Sequence, residues 1–294
     1  MFPFSLLGQR GRRTEEGVFR GLMVFAVFLV VGSLLLIVLT IIWKGLPSLN
    51  LAMITRTPQG GYYLGKEGGI LNAIVGSLYL AGGATLLALI LSLPVVLYLN
   101  LYTRKYSPLA NFVRFSFDVL WGVPSIVLGA FGFVVMVFLG LKTSLLAGII
   151  TVALLEFPIM SRAMDEVIRL VPRDLKDASY SLGATKLETA LKVILRQSLP
   201  GIVTGVLIAF GRGIGDAASV LFTAGFTDRV PTKLSALFQP VATLPLAIFF
   251  QLGTPFPEVR QRAYASAAVL TILILIISLV SRALVKRYTK HTIR

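Results

Sequence analysis

The chain has 294 residues, of which 56% are hydrophobic, and its 28 Lys and Arg against 13 Asp and Glu give a formal net charge of +15. Its mean hydropathy of +0.84 is too high for an ordinary soluble domain and predicts an integral membrane protein. The sequence has no cysteine, which excludes disulfide frameworks and thiolate metal sites.

Six segments are predicted as transmembrane helices, because a bilayer core about 30 Å thick needs about 20 apolar residues per helix. The apolar cores of four carry no charge, whereas the fourth and fifth contain charged residues. We therefore predict an all-α integral membrane protein with spans at about 21–43, 70–100, 117–141, 143–161, 199–224 and 263–283. A polar tail, residues 1–20, precedes the first span, and the loop 162–198 joins the fourth to the fifth.

The basic residues are unevenly divided between the two sides of this predicted topology. Nineteen of the 28 lie on the side of both termini, eight on the other, and Arg212 lies within the membrane. By the positive-inside rule, both termini and the loop 162–198 are predicted to be cytoplasmic. The net charge is thus a topology signal that favours membrane lipid, not nucleic acid, as a partner. Opposite lies the loop 227–262, whose apolar stretch 241–252 is too short to span and predicts a re-entrant or interfacial segment.

A polar, helix-forming insert separates the fourth and fifth spans. Pro172 precedes a predicted short helix at 173–182, and Gly183 follows as a C-terminal glycine. Thr185 with Glu188 three residues later forms a capping box, which predicts a second helix that leads directly into the fifth span.

The sequence of this insert, D-A-S-Y-S-L-G at 177–183, resembles the E-A-A-x-x-x-G coupling motif of importer-type ABC transporter permeases, with Asp for Glu and Ser for the second Ala. In that family, the short helix docks onto an ATP-binding subunit. The resemblance implies the type I ABC importer permease fold, a homologous permease, two ATP-binding subunits and an extracytoplasmic binding protein as partners. By position, it assigns ATPase coupling to Asp177, Ala178, Ser179, Gly183, Ala184 and Thr185.

Four further stretches narrow the resemblance to phosphate-importer permeases: 68–78, 123–129, 212–224 and 239–249. The last is similar to one of the two permease subunits of that importer rather than to the other. The resemblance implies ATP-driven phosphate import by alternating access. A permease for another oxyanion, molybdate or sulfate, is the alternative. A proton- or sodium-coupled transporter, with Asp216 or Glu156 as the titrating group, is the rival from another class.

Charged residues inside the predicted spans are the candidate substrate-pathway residues. Arg212 follows Pro200 by about 18 Å of helix, near the middle of the membrane, where a charge requires a partner or water. Asp216, four residues on, is predicted to lie on the same face. The pair either locks the bundle or lines an anion pathway, and the family resemblance favours the pathway. For Glu156 we predict a structural role, paired with Arg162 or another subunit.

Small residues recur at intervals of four in the fifth span, and they predict close helix packing within the chain or against a second permease. They are Gly201, Gly205, Ala209, Gly213 and Ala217.

No motif predicts catalysis. Residues 60–67 nearly match a nucleotide-binding P-loop, but Glu67 occupies the Ser or Thr position and no strand precedes it. The single histidine, His291, lies in the C-terminal tail. We therefore expect no catalytic residue, metal or cofactor in this chain, and ATP bound by partner subunits.

Overall fold

The computed structural model describes residues 9–59, 67–104, 107–232 and 234–289. Over these residues the chain is almost entirely helical, with one two-stranded antiparallel ribbon that pairs β1 (Pro58–Gln59) with β2 (Glu67–Gly68). The α-helices are α1 (Gln9–Gly45), α2 (Leu51–Thr55), α3 (Leu71–Leu101), α4 (Pro108–Trp121), α5 (Ser125–Phe138), α6 (Leu145–Arg169), α7 (Arg173–Ser181), α8 (Lys186–Glu188), α9 (Leu195–Ile214), α10 (Leu244–Leu252) and α11 (Pro257–Thr289). A π-helical turn, Thr189–Ile194, joins α8 and α9 into one continuous helix.

Five helices in the described ranges are long and apolar enough to cross a membrane: α1, α3, α6, the continuous helix from α8 through α9, and α11. A sixth span is present if α4 and α5 count as one, but these two helices meet at 101°. The predicted single span at 117–141 is therefore wrong. Pro124 explains the break, because it disfavours helical geometry at Val123 and cannot donate a backbone hydrogen bond.

The fourth and fifth spans also end elsewhere than predicted. Helix α6 continues to Arg169 rather than stopping at residue 161, so only residues 170–185 of the predicted loop lie outside long helices. Helix α9 stops at Ile214 instead of continuing to residue 224, and the chain beyond it is irregular. At the N-terminus, α1 already begins at Gln9, within the predicted tail.

The core forms where α3, α6 and α9 pack together. Small residues allow this close approach: a Cβ on Gly201 would lie 2.3–2.9 Å from the Val167 side chain, and one on Gly205 would lie 3.0 Å from Ala163 Cβ. The small-residue stripe of α9 therefore packs against α6 of the same chain, although Ala217 lies beyond the helix end. This contact orients the opposite face of α9 away from α6.

Two peripheral elements complete the bundle. The apolar side chains of α1 are exposed, and the helix approaches α11 at Gly45, which lies close to the Tyr264 backbone. Helix α10 is nine residues long, too short to span, and it buries Leu244 and Leu246 completely. The P-loop-like stretch lies outside the described residues except for Glu67.

Candidate functional site

The C-terminal end of α9 lies deep in the bundle. Gly213 packs directly against the Glu156 carboxylate of α6, so the last turn of α9 is level with the middle of that helix. From Leu145 to Glu156, α6 rises about 16 Å of its roughly 38 Å length. Arg212, the residue before Gly213, therefore lies beside the middle of α6.

The predicted pairing of Arg212 with Asp216 is wrong. No ion pair joins the two within the part of the chain that the structure describes, and the Arg212 side chain is exposed on the surface of this single chain. Because α9 ends at Ile214, Asp216 is not one helical turn farther along the same face. Its Oδ2 accepts a hydrogen bond from the Ser219 N–H at 2.8 Å instead. Arg212 is left near the helix C-terminus, where the carbonyl dipoles favour a cation.

Irregular backbone follows Arg212, and α5 and α6 cover it. A Cβ on Gly129 of α5 would lie 2.8 Å from the carbonyl oxygens of Ala218 and Ser219, so only glycine permits this approach. At the start of α6, the Ser144 N–H donates to the Thr223 carbonyl at 3.0 Å. Non-helical backbone at membrane depth occurs where protein buries it or where it lines a water-filled cavity.

The remaining family-like stretches pack around the same segment. The Val241 N–H donates to the Ala224 carbonyl at 3.0 Å, and Ser77 Oγ on α3 accepts from the Leu244 N–H at 2.8 Å. Gly76 lies so close to the Ala242 carbonyl that a Cβ there would overlap it. All four stretches therefore converge around residues 212–226. Ser77 and Gly129 were not among the predicted site residues, although both stand within those stretches.

Glu156 has surroundings unlike those predicted. Its side chain is completely buried, and its carboxylate forms no ion pair within the described ranges. Arg162 does not pair with it, because its Nε lies 3.3 Å from carboxylate oxygens of both Asp118 and Glu166. Instead, Glu156 fills the space that the missing side chain of Gly213 leaves.

The predicted short helix is present as α7, and most of its coupling residues face outward. Asp177, Ala178, Gly183 and Thr185 are exposed and Ala184 is half-buried, whereas Ser179 is buried. Leu182, which ends the helix, is 89% exposed.

Local geometry at the end of α7 agrees with the sequence. Gly183 has a φ of +82°, the left-handed conformation that favours glycine after a helix. Both hydrogen bonds of the capping box are formed: Thr185 Oγ1 accepts from the Glu188 N–H at 3.2 Å, and Glu188 Oε2 accepts from the Thr185 N–H at 3.0 Å. The bond from the Thr185 backbone is the main reason that the pKa of Glu188 is lowered.

Helix α7 is fastened to the continuous helix by one buried polar contact. The hydroxyls of Ser179 and Thr189 are 2.9 Å apart, and Thr189 is fully buried. The same continuous helix ends at Ile214 and carries Arg212 about 35 Å beyond Thr189. One continuous helix therefore joins the contact with α7 to the Arg212 region.

The family model that describes the binding-protein-dependent transport system inner membrane component matches residues 92–294. The chain belongs to this family. It is thus a membrane permease of a binding-protein-dependent transport system, and the type I ABC importer permease fold predicted from the sequence is confirmed.

Curated relatives match most of the permease. The phosphate transport system permease protein PstA of Haemophilus influenzae is 33% identical over 272 residues, covering 92% of this chain and 94% of that protein. The PstA protein of Yersinia pestis is 35% identical over 251 residues, with 85% and 83% coverage. A probable ABC transporter permease of Bacillus subtilis, YqgI, is 31% identical over 258 residues, with 82% and 85% coverage.

Solved structures share the fold of the permease. A chain of the MetNI methionine ABC transporter, in an inward-facing conformation, superposes with a TM-score of 0.58 at 21% identity, covering 74% of this chain and 95% of that one. A chain of a bacterial alginate ABC transporter gives a TM-score of 0.58 at 16% identity, with 95% and 99% coverage. At these identities, the likeness establishes the fold alone.

Proposed function

We propose that this permease is the PstA-type subunit of an ATP-driven phosphate importer. The names of its relatives support phosphate as the substrate, because two phosphate permeases are at least 33% identical to this chain over more than four-fifths of its length. Its partners are a PstC-like homologous permease, two PstB-like ATP-binding subunits and a PstS-like extracytoplasmic phosphate-binding protein.

One observation carries the proposed pathway: Arg212 is exposed and has no ion pair among the described residues, at the depth of the middle of α6. A charge at the centre of a bilayer costs at least about 2.5–3.5 kcal/mol, so the side chain must face water or a partner. The guanidinium matches phosphate oxygens with two parallel hydrogen bonds. Arg212 therefore lines the anion pathway at the contact with the homologous permease.

Asp216 has a different task from the one the sequence predicts. Its carboxylate caps the turn at Ser219 and so fixes the irregular segment that follows Arg212. A fixed segment holds non-helical backbone beside the passing anion, as in transporters whose binding sites lie at discontinuous helices.

Coupling runs from α7 to Arg212. The ATP-binding subunits dock on the exposed face of α7, with Asp177, Ala178, Gly183, Ala184 and Thr185 at the contact. Ser179 points inward and holds α7 to the continuous helix. ATP binding closes the two ATP-binding subunits and moves α7, and the paired permeases then alternate between outward and inward access.

The proposed setting follows from this assembly. The chain is a multi-pass protein of a bacterial or archaeal plasma membrane, with both termini cytoplasmic. ATP is hydrolysed on the partner subunits, and this chain supplies no catalytic residue and holds no cofactor.

The test is uptake by the complete complex reconstituted in vesicles. With ATP inside and no proton or sodium gradient, we expect uptake of radiolabelled phosphate that an excess of sulfate or molybdate does not inhibit. Preferential import of sulfate or molybdate would establish the oxyanion alternative. Uptake that continues without ATP and follows an imposed ion gradient would establish a secondary transporter.

A further inference from the structure

A cavity of about 440 Å³ lies where α7 meets the ends of α3 and α6 and the middle of α4. Five basic side chains from these four parts of the chain line it, against one acidic side chain, Asp177. The basic residues are Arg104, Arg114, Arg169, Arg173 and Lys176.

The carboxylate of Asp165, next to the cavity, is bound by neighbouring side chains. Asp165 is completely buried, and its Oδ1 accepts from Asn100 Nδ2 at 2.7 Å and from Arg114 Nη2 at 3.1 Å. Its Oδ2 accepts from Arg114 Nε at 2.8 Å, with Arg169 Nη1 at 3.9 Å. Asp165 therefore neutralises Arg114 and fixes its guanidinium.

Three of the basic residues, Arg104, Arg173 and Lys176, form no ion pair among the described residues. Partial burial and the positive charge of Arg173 lower the pKa of Lys176, and the charge of Asp177 opposes this shift. Like charges held around one concave space favour an anion there.

We infer that this cavity binds a phosphate group, either inorganic phosphate or the headgroup of an anionic phospholipid. Arginine forks match phosphate oxygens, and lysine adds a point charge. The site is separate from Arg212: from Glu156 to Arg169, α6 runs about 20 Å along its axis. A phosphate group there bridges α7 to the bundle and holds the coupling helix in place. This inference does not depend on which anion the complex transports.

Binding of inorganic phosphate is measured first, on the complete complex in nanodiscs of phosphatidylcholine without the binding protein. Arg104→Gln removes one cavity charge from a residue outside α7, and Lys176→Gln is a second variant. Arg196→Gln is the matched control, an exposed arginine outside the cavity. Because one charge-assisted hydrogen bond is lost, we expect both cavity variants to bind about tenfold more weakly, while Arg196→Gln binds like the wild type.

The second measurement distinguishes the two sources of phosphate. In nanodiscs with phosphatidylglycerol, native mass spectrometry counts the anionic lipids that remain on the complex. If the site holds a headgroup, the wild type retains one more lipid than Arg104→Gln, and added inorganic phosphate does not displace it. If the site holds free phosphate, the lipid counts agree and the first measurement shows the difference. The inference is overturned if Arg104→Gln and Lys176→Gln match the wild type in both measurements.

Discussion

Replacing Ser179 with alanine tests how α7 is fastened to the continuous helix. The substitution leaves the Thr189 hydroxyl, which is fully buried, without its partner at 2.9 Å. An unsatisfied buried hydroxyl costs about 1–3 kcal/mol. Because 1.4 kcal/mol is a factor of ten, the docked position of α7 should lose about 5- to 150-fold in equilibrium. We expect amide hydrogen exchange across α7 to accelerate by that factor in the reconstituted complex, and uptake per ATP hydrolysed to fall.

Two variants make this prediction specific. Ser181→Ala is the matched control, because Ser181 is exposed on the same helix and bonds only the Asp177 carbonyl; it should leave exchange unchanged. The double variant Ser179→Ala with Thr189→Val removes both hydroxyls and should recover much of the protection. Equal acceleration in Ser179→Ala and Ser181→Ala, or strictly additive effects in the double variant, would refute the reasoning.

Three further substitutions test the contact between α9 and α6, the buried ion pair of Asp165 and the cap at Glu188. Gly213→Ala places a Cβ against the Glu156 carboxylate and should lower the unfolding free energy by about 1–3 kcal/mol. Adding Glu156→Ala should relieve this loss. If the double variant loses as much stability as Gly213→Ala alone, the contact is contradicted. Asp165→Asn leaves Arg114 without a counter-charge and should lower the unfolding free energy by about 3–5 kcal/mol in denaturant titrations. The control Glu166→Gln, in an exposed pair, should change it by about 0–1 kcal/mol. Equal losses in the two variants would contradict the distinction between a buried and an exposed ion pair. The pKa of Glu188 is lowered in the folded protein, so its cap contributes its full stability above the ordinary glutamate pKa and loses it as the pH falls through the lowered value. Glu188→Gln should therefore make thermal unfolding less dependent on acid pH. An unaltered pH dependence would contradict the cap.

Local signals predicted the coupling region well. A glycine after a short helix and a threonine three residues before a glutamate act within one turn of chain, so Gly183 and Thr185 fix the ends of their helices without help from distant residues. The long apolar helices were predictable from hydropathy, because a run of about 20 apolar residues is enough to span a bilayer.

The surroundings of Arg212 were not predictable in this way. Hydropathy continues past Ile214, whereas contacts from α5, from the start of α6 and from Val241 stabilise the irregular backbone that follows. Gly213 and Gly215 were a local signal of weak helix propensity that hydropathy outweighed. The contact of Glu156 with Gly213 joins two helices that are distant in sequence, so no spacing rule reaches it.

Pro124 is a local signal of the break between α4 and α5. A glycine and a proline at 122–124 punctuate an otherwise apolar run, and the structure bends there by 101°. An apolar composition establishes that a segment prefers lipid or core, but it does not establish that the segment is one straight helix.

The central claim is that Arg212 lines the phosphate pathway, and phosphate uptake with ATPase activity measured in the same vesicles tests it most directly. The comparison is Arg212→Gln against wild type, with the exposed Arg196→Gln as the matched control. We predict that Arg212→Gln assembles and hydrolyses ATP but takes up almost no phosphate, while Arg196→Gln transports normally. Normal uptake by assembled Arg212→Gln would contradict the claim and leave Arg212 outside the pathway.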